Sequence, residues 1–189
     1  MKTYVALLGA VLGVATVASA QTTGPMRVTT EIETSPAEFT AAVLWTEFQK
    51  DVPTHPEFPT FGFSLAISGN LNPYVGLVGE GGRFANYDHA VLNPVNDLFV
   101  GVRVQSRFFR VHPRTDRSDI RIYGHVLAGT RWETNTTTGG SAVRPGAGAD
   151  FHTKHGFALR YEYDHCFVNG VGRGLSGGQF LFGLVFGPS

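Results

Sequence analysis

The stretch Phe-Ala-Leu-Arg-Tyr-Glu-Tyr-Asp-His, residues 157 to 165, alternates apolar with small or charged side chains without a slip. Successive side chains of a β-strand point to opposite faces, so this is a strand with one greasy face and one charged face. No other feature restricts the fold as much, because the two faces cannot both meet water comfortably. If Arg160, Glu162 and Asp164 face water, the chain is an ordinary soluble sheet. If Phe157, Leu159, Tyr161 and Tyr163 face outward, the outside must be lipid.

The alternation recurs. Strands are predicted over residues 39–48, 61–71, 74–84, 98–109, 120–132, 142–152, 157–165 and 178–186. Each is near the length of about 9–11 residues that a tilted strand needs to cross a membrane. No helical period of 3.6 residues persists beyond the N-terminal segment. The connections 72–73 and 153–156 are tight, whereas 49–60, 85–97, 133–141 and 166–177 are long. Short turns at one end and long loops at the other are the pattern of outer-membrane barrels, with the short end periplasmic. The connection 110–119 departs from it, being long on the short-turn end.

Parity sorts the side chains into two sets. One carries Phe61, Phe63, Leu65, Ile67, Val75, Leu77, Leu98, Val100, Val102 and Val104, then Ile120, Ile122, Val126, Phe157, Leu159, Tyr161 and Tyr163, and ends with Phe180, Phe182, Leu184 and Phe186. The other carries Ser64, Ala66, Ser68, Asn70, Gly76, Glu80, Gly101, Arg103, Gln105 and Arg107, then Arg121, His125, Gly129, Arg131, Gly148, Asp150 and His152, and ends with Arg160, Glu162, Asp164, Gln179 and Gly183. The second set mixes very small residues with opposite charges, which suits the narrow lumen of an eight-stranded barrel. The predicted lumen network is Glu80, Arg103, Arg107, Arg121, His125, Arg131, Asp150, Arg160, Glu162 and Asp164. Such pairing is required, since each isolated buried charge costs several kcal/mol. The apolar set lacks charge at mid-strand, where a lipid-facing Arg or Lys costs about 2–4 kcal/mol. Glu47 and Arg83 fall near strand ends. Trp45, Phe108, Trp132, Tyr163 and Phe186 form the expected aromatic girdles. The alternative is a soluble lipocalin-like barrel with these aromatics inside, around a lipophilic ligand.

The ends and the composition agree. Residues 1–20 have a signal-peptide pattern: Lys2, an apolar run from Val5 to Val17, and a small-residue cleavage site at Ala18-Ser19-Ala20. Residues 21–37 form a polar periplasmic lead-in, with an extra strand conceivable at Val28–Ile32, and the barrel domain covers 38–189. No later segment approaches 18 uninterrupted apolar residues, which argues against a transmembrane helix. The 15 basic and 15 acidic residues balance, giving no support for nucleic acid as a partner. Cys166 is the single cysteine and cannot form an internal disulfide. Glycine is abundant at 24 residues and phenylalanine at 15, whereas lysine occurs only at positions 2, 50 and 154.

With this pattern in place, the chain resembles the small eight-stranded outer-membrane barrels of the OmpA/OmpX-like superfamily, and the bacterial outer membrane protein beta-barrel domain among them. The likeness is carried by SLAISGNLNPYVGLVGEGG (64–82), YGHVLAGTR (123–131), GAGADFHTKHGFALRYEYD (146–164) and FLFGLVFG (180–187). It implies an all-β, antiparallel up-and-down transmembrane barrel in the outer membrane. It further implies that Gly178, Phe180, Phe182, Leu184 and Phe186 form the C-terminal insertion signal. The family pattern usually ends at the last aromatic, whereas Gly187-Pro188-Ser189 follow here.

Chemistry-bearing motifs are few. His125, His152 and Glu162 share the inward face, but parity alone would place them there, and hydrogen-bonding lumen histidines are the expectation rather than a metal site. His165 and Cys166 are adjacent, so a strand points them to opposite faces. A lipid deacylase of this barrel class would show His and Ser two apart, and none of the 7 histidines has Ser at that spacing. Asn135-Thr136-Thr137 matches a glycosylation sequon but reads as a polar turn, and Gly172–Gly178 lacks the strand-and-helix frame of a phosphate-binding loop. The expectation is a monomeric barrel that is not an enzyme and takes no cofactor and no metal. Its partners are outer-membrane lipids and the barrel assembly machinery, its role is structural or adhesive, and a small porin is the alternative.

Overall fold

The computed structural model describes residues 36–48, 60–85, 87–88, 91–92, 94–110, 119–134, 137–153, 156–170 and 175–187. Eight long strands follow one another: β1 (Ala37–Phe48), β2 (Thr60–Asn72), β3 (Val75–Phe84), β4 (Val95–Gln105), β5 (Asp119–Glu133), β6 (Gly139–His152), β7 (Phe157–Val168) and β8 (Gly177–Phe186). Each pairs antiparallel with its sequence neighbours, and β1 closes the sheet on β8, from Phe39 opposite Phe186 to Phe48 opposite Gly177. The result is a closed up-and-down barrel with no open sheet edge along the long strands, the arrangement that lets strands cross a bilayer with every ladder bond made. Among the described residues no helix is long and apolar enough to cross a membrane. Short pairings of Tyr87–Asp88 with Val91–Leu92, and of Phe109–Arg110 with the start of β5, lie outside the main ladders.

Local chemistry sets the tight turns. Asn72 Oδ1 accepts the N–H groups of Tyr74 at 2.8 Å and Val75 at 2.9 Å, so the side chain closes the β2–β3 turn around Pro73. Between β6 and β7, Thr153 donates both its N–H and its hydroxyl to the Phe157 carbonyl, and Gly156 takes a φ of 79° that an L side chain rarely adopts. Both chain ends of the barrel lie on this short-turn side.

The two faces separate as a bilayer protein requires. Phe61, Phe63, Leu65 and Ile67 on β2, Leu98, Val100 and Val102 on β4, and Phe180, Phe182 and Leu184 on β8 are exposed, with Ile67 at 64 %. An exposed apolar surface this continuous would be a severe liability in water. Inside are Thr40, Ser64, Ser68, Glu80, Arg103, Arg121, Asp150, Arg160, Glu162 and Asp164. Toward the long-loop end apolar side chains join the charged ones in the interior, with Leu44, Phe84, Val95, Phe99 and Leu127 at 1 % exposure or less.

Most strand boundaries lie within a residue or two of the sequence expectation, β6 starts three residues earlier at Gly139, and two strands change in ways that matter for the lumen. β4 begins at Val95 rather than at 98, because Asp97 is a buried lumen residue and not the polar loop residue its charge suggests. It also ends at Gln105 rather than 109, where Tyr74 O accepts the Gln105 N–H and the β5 ladder stops at Tyr123. β7 continues past His165 to Val168, with Cys166 and Val168 buried. The expected extra strand at Val28–Ile32, and the residues of the 110–119 connection from 111 to 118, lie outside the described residues.

Candidate functional site

The register of β5, β6 and β7 builds the lumen in rows. Arg121, Asp150 and Arg160 stand opposite one another, then Tyr123, Gly148 and Glu162, then His125, Gly146 and Asp164. In the first row the central residue is an acid and binds both neighbours. Asp150 accepts Arg121 Nη2 at 2.6 Å and Arg160 Nε at 2.7 Å, with a second bond to each guanidinium. Glu38 reaches in from β1 to accept Arg121 at 2.6 and 2.9 Å and Arg103 at 2.7 Å. Arg160 Nη1 also donates to Thr40 Oγ1 at 3.1 Å. Bidentate guanidinium–carboxylate bonds of this kind are strong and fix orientation, which is why arginine rather than lysine fills such interiors.

In the next two rows the central residue is glycine, so the outer two side chains meet across it. Tyr123 donates its hydroxyl to Glu162 Oε2 at 2.5 Å. A Cβ on residue 148 would stand 2.5 Å from that hydroxyl oxygen, so only glycine leaves the bond room. His125 Nε2 lies 3.1 Å from Asp164 Oδ1 across Gly146 and 4.0 Å from Glu162 Oε1.

A second charged layer lies nearer the long loops. Arg144 contacts Glu80 at 2.5 Å, Asp164 at 3.3 Å and Asp97 at 3.8 Å. Its guanidinium carbon sits 4.5 Å from the Phe99 ring centre. Arg131 binds Asp97 in a fork at 2.7 and 2.8 Å and donates to Gln179 Oε1 and the Leu175 carbonyl. Arg131, Arg144 and Asp150 are wholly shielded from solvent. Between the layers remains a cavity of about 10 Å³, close to the room one water needs, bordered by Glu80, Arg103, His125 and Glu162.

Nine of the ten lumen residues expected from sequence lie in this interior: Glu80, Arg103, Arg121, His125, Arg131, Asp150, Arg160, Glu162 and Asp164. Arg107 does not. It follows the end of β4, is exposed, and lies over the Tyr74 ring at 5.3 Å from its centre. Of the expected girdle, Trp45, Trp132, Tyr163 and Phe186 are exposed on the outer face. Phe108 is instead half-buried at the barrel mouth, under the Arg121 guanidinium at 4.9 Å and edge-on to His152 at 5.5 Å. Both displacements have one cause: once the ladder stops at Gln105, strand parity no longer governs residues 106 to 108. On β8, Phe180, Phe182, Leu184 and Phe186 all face outward, and Gly178 sits against Tyr163. His152, at the mouth, does not join His125 and Glu162.

Glu38, Asp97, Tyr123 and Arg144 were missed by the sequence reading. Three share parity with residues already assigned inward: Asp97 with Arg103, Tyr123 with Arg121 and His125, and Arg144 with Gly148 and Asp150; Glu38 shares it with Thr40, on a strand whose faces the sequence left unassigned. The signal was the alternation itself, carried to the ends of each strand.

No protein-family profile and no curated protein matches the chain. Solved structures do match. Neisserial surface protein A superposes with a TM-score of 0.59 at 10 % identity, over 82 % of this chain and 98 % of that one. Ail, the attachment invasion locus protein of Yersinia pestis, superposes with a TM-score of 0.51 at 16 % identity, over 82 % of this chain and all of the other. Both are small eight-stranded outer-membrane barrels, and at these identities what is shared is that fold.

Proposed function

We propose that this chain is an outer-membrane barrel with a structural or surface-contact role, and that its lumen is closed to ions by the arginine–carboxylate network. One observation carries the reading: most charged side chains of the long strands are inside and most of their aromatic and aliphatic ones are outside. That distribution suits a bilayer and contradicts a lipocalin-like barrel, whose apolar face would line its ligand cavity. The fold shared with a neisserial surface protein and with an attachment invasion locus protein supports a role at the cell surface. The connections on the long-loop end, residues 49–59, 85–94, 134–138 and 169–176, are the parts such a barrel presents outward.

Packing supports a closed lumen. Two layers of charge pairs, with Leu44, Phe99 and Leu127 beside the outer one, leave between them a cavity with room for about one water. Purified protein in planar bilayers is expected to give no steady open-channel current, and sustained conductance would favour the small porin and reject the plug. The contact role has its own test. Bacteria displaying the barrel are expected to adhere to epithelial cells or abiotic surfaces more than bacteria displaying a variant with residues 49–59 replaced by a Gly-Ser linker. Equal adhesion with equal surface display for that and the three corresponding loop variants would reject it.

A further inference from the structure

Among the buried polar atoms of the described residues that lack an aligned hydrogen bond, three converge on one another. We infer that His125 Nε2, Glu162 Oε1 and Asp164 Oδ1 form a binding site for a single divalent transition-metal ion of the zinc class. The three atoms lie within 4.8 Å of one another, and their residues are at most 6 % exposed. None of the three has an aligned hydrogen bond, although buried polar atoms ordinarily have one.

The opposite oxygen of each carboxylate is already held. Tyr123 donates to Glu162 Oε2 at 2.5 Å, while Gln179 Nε2 and Arg144 Nε reach Asp164 Oδ2 at 3.3 Å each. These partners turn Oε1 and Oδ1 toward the imidazole, which is how outer groups orient metal ligands. Ligands at about 2.0–2.2 Å from a tetrahedral zinc stand about 3.3–3.6 Å apart. The observed separations of 3.1 and 4.0 Å from the imidazole nitrogen need only small side-chain shifts to meet that.

The backbone is cut to fit. A Cβ on residue 146 would lie 1.7 Å from Asp164 Oδ1 and 2.7 Å from His125 Nε2, so glycine at this position opens the space in which the ligands converge. The adjoining cavity has room for one water as a fourth ligand, and Glu80 Oε1, which borders it without a hydrogen bond, would accept from that water. One imidazole and two carboxylates favour zinc and its first-row neighbours, while magnesium and calcium prefer oxygen-only shells. The competing arrangement is a protonated His125 that pairs directly with the two carboxylates.

The purified chain, stripped of metal in urea and folded into detergent with Co2+, tests the proposal. One Co2+ per chain is expected, with the visible absorption of a four- or five-coordinate ion, displaced by Zn2+. His125→Gln and Asp164→Asn, each confirmed as folded by its gel mobility, are expected to weaken binding at least about 100-fold, and Tyr123→Phe about 10-fold. A chain in which the other six histidines are glutamine leaves the site untouched. Loaded with Cu2+, it is expected to show coupling to one imidazole nitrogen by electron paramagnetic resonance. The proposal is overturned if the folded wild type takes up no stoichiometric ion, which identifies the protonated pair. It is equally overturned if the six-histidine variant shows no imidazole coupling, or if binding survives in folded His125→Gln.

Discussion

At the residue scale, what decides this barrel is which carboxylate meets which guanidinium in a space shielded from solvent. Arg144 is the clearest case, reaching Glu80, Asp97 and Asp164 from a position with no solvent exposure. Removing one member of a buried pair strands the other, which typically costs about 3–5 kcal/mol. Arg144→Ala and Glu80→Ala are each expected to lower unfolding stability in lipid vesicles by that amount, measured by urea titration. The exposed Arg83→Ala is expected to change it by less than about 0.5 kcal/mol. The double variant Glu80→Ala/Arg144→Ala should cost clearly less than the two singles added together, and strict additivity would remove the pair from the account. Charge type alone did not reveal Arg144 or Asp97 in the sequence, because a charged residue near a strand end looks like a loop residue until parity is extended through it.

At the scale of the strand, the alternation made the architecture legible. Strand β2 alternates Phe61, Phe63, Leu65 and Ile67 outward with Ser64, Ala66 and Ser68 inward, and the same division holds along β4, β7 and β8. Leu65→Arg, near the middle of β2, is therefore expected to destabilise the membrane-inserted barrel by about 2–4 kcal/mol. The same substitution at Tyr74, in the turn, should cost about 0–1 kcal/mol, and equal costs at the two positions would mean that Leu65 does not face lipid. Parity failed where the ladder failed. Phe108 and Arg107 lie past the end of β4, so counting by twos carried them to the wrong surfaces. The glycine rows of β6 were illegible for another reason: Gly146 and Gly148 matter through the register that sets them between two partners, and no single strand displays that register.

At the scale of the whole molecule, the central claim is that the protein is inside out, with its aromatic belt in lipid. The two tryptophans report on this directly, since Trp45 and Trp132 are both on the outer face, each in the part of its strand that leads into a long loop. Trp45 stands beside Phe180, with ring centres 5.8 Å apart, and Tyr163 lies against the other side of Phe180 at 4.9 Å, as an interfacial girdle would place them. The decisive measurement is tryptophan fluorescence of the barrel folded into vesicles whose acyl chains carry bromine at defined depths. Strong quenching is expected, greater with bromine near the headgroups than near the bilayer centre. Fluorescence unaffected by brominated lipid at any depth would place both tryptophans away from the bilayer and contradict the account.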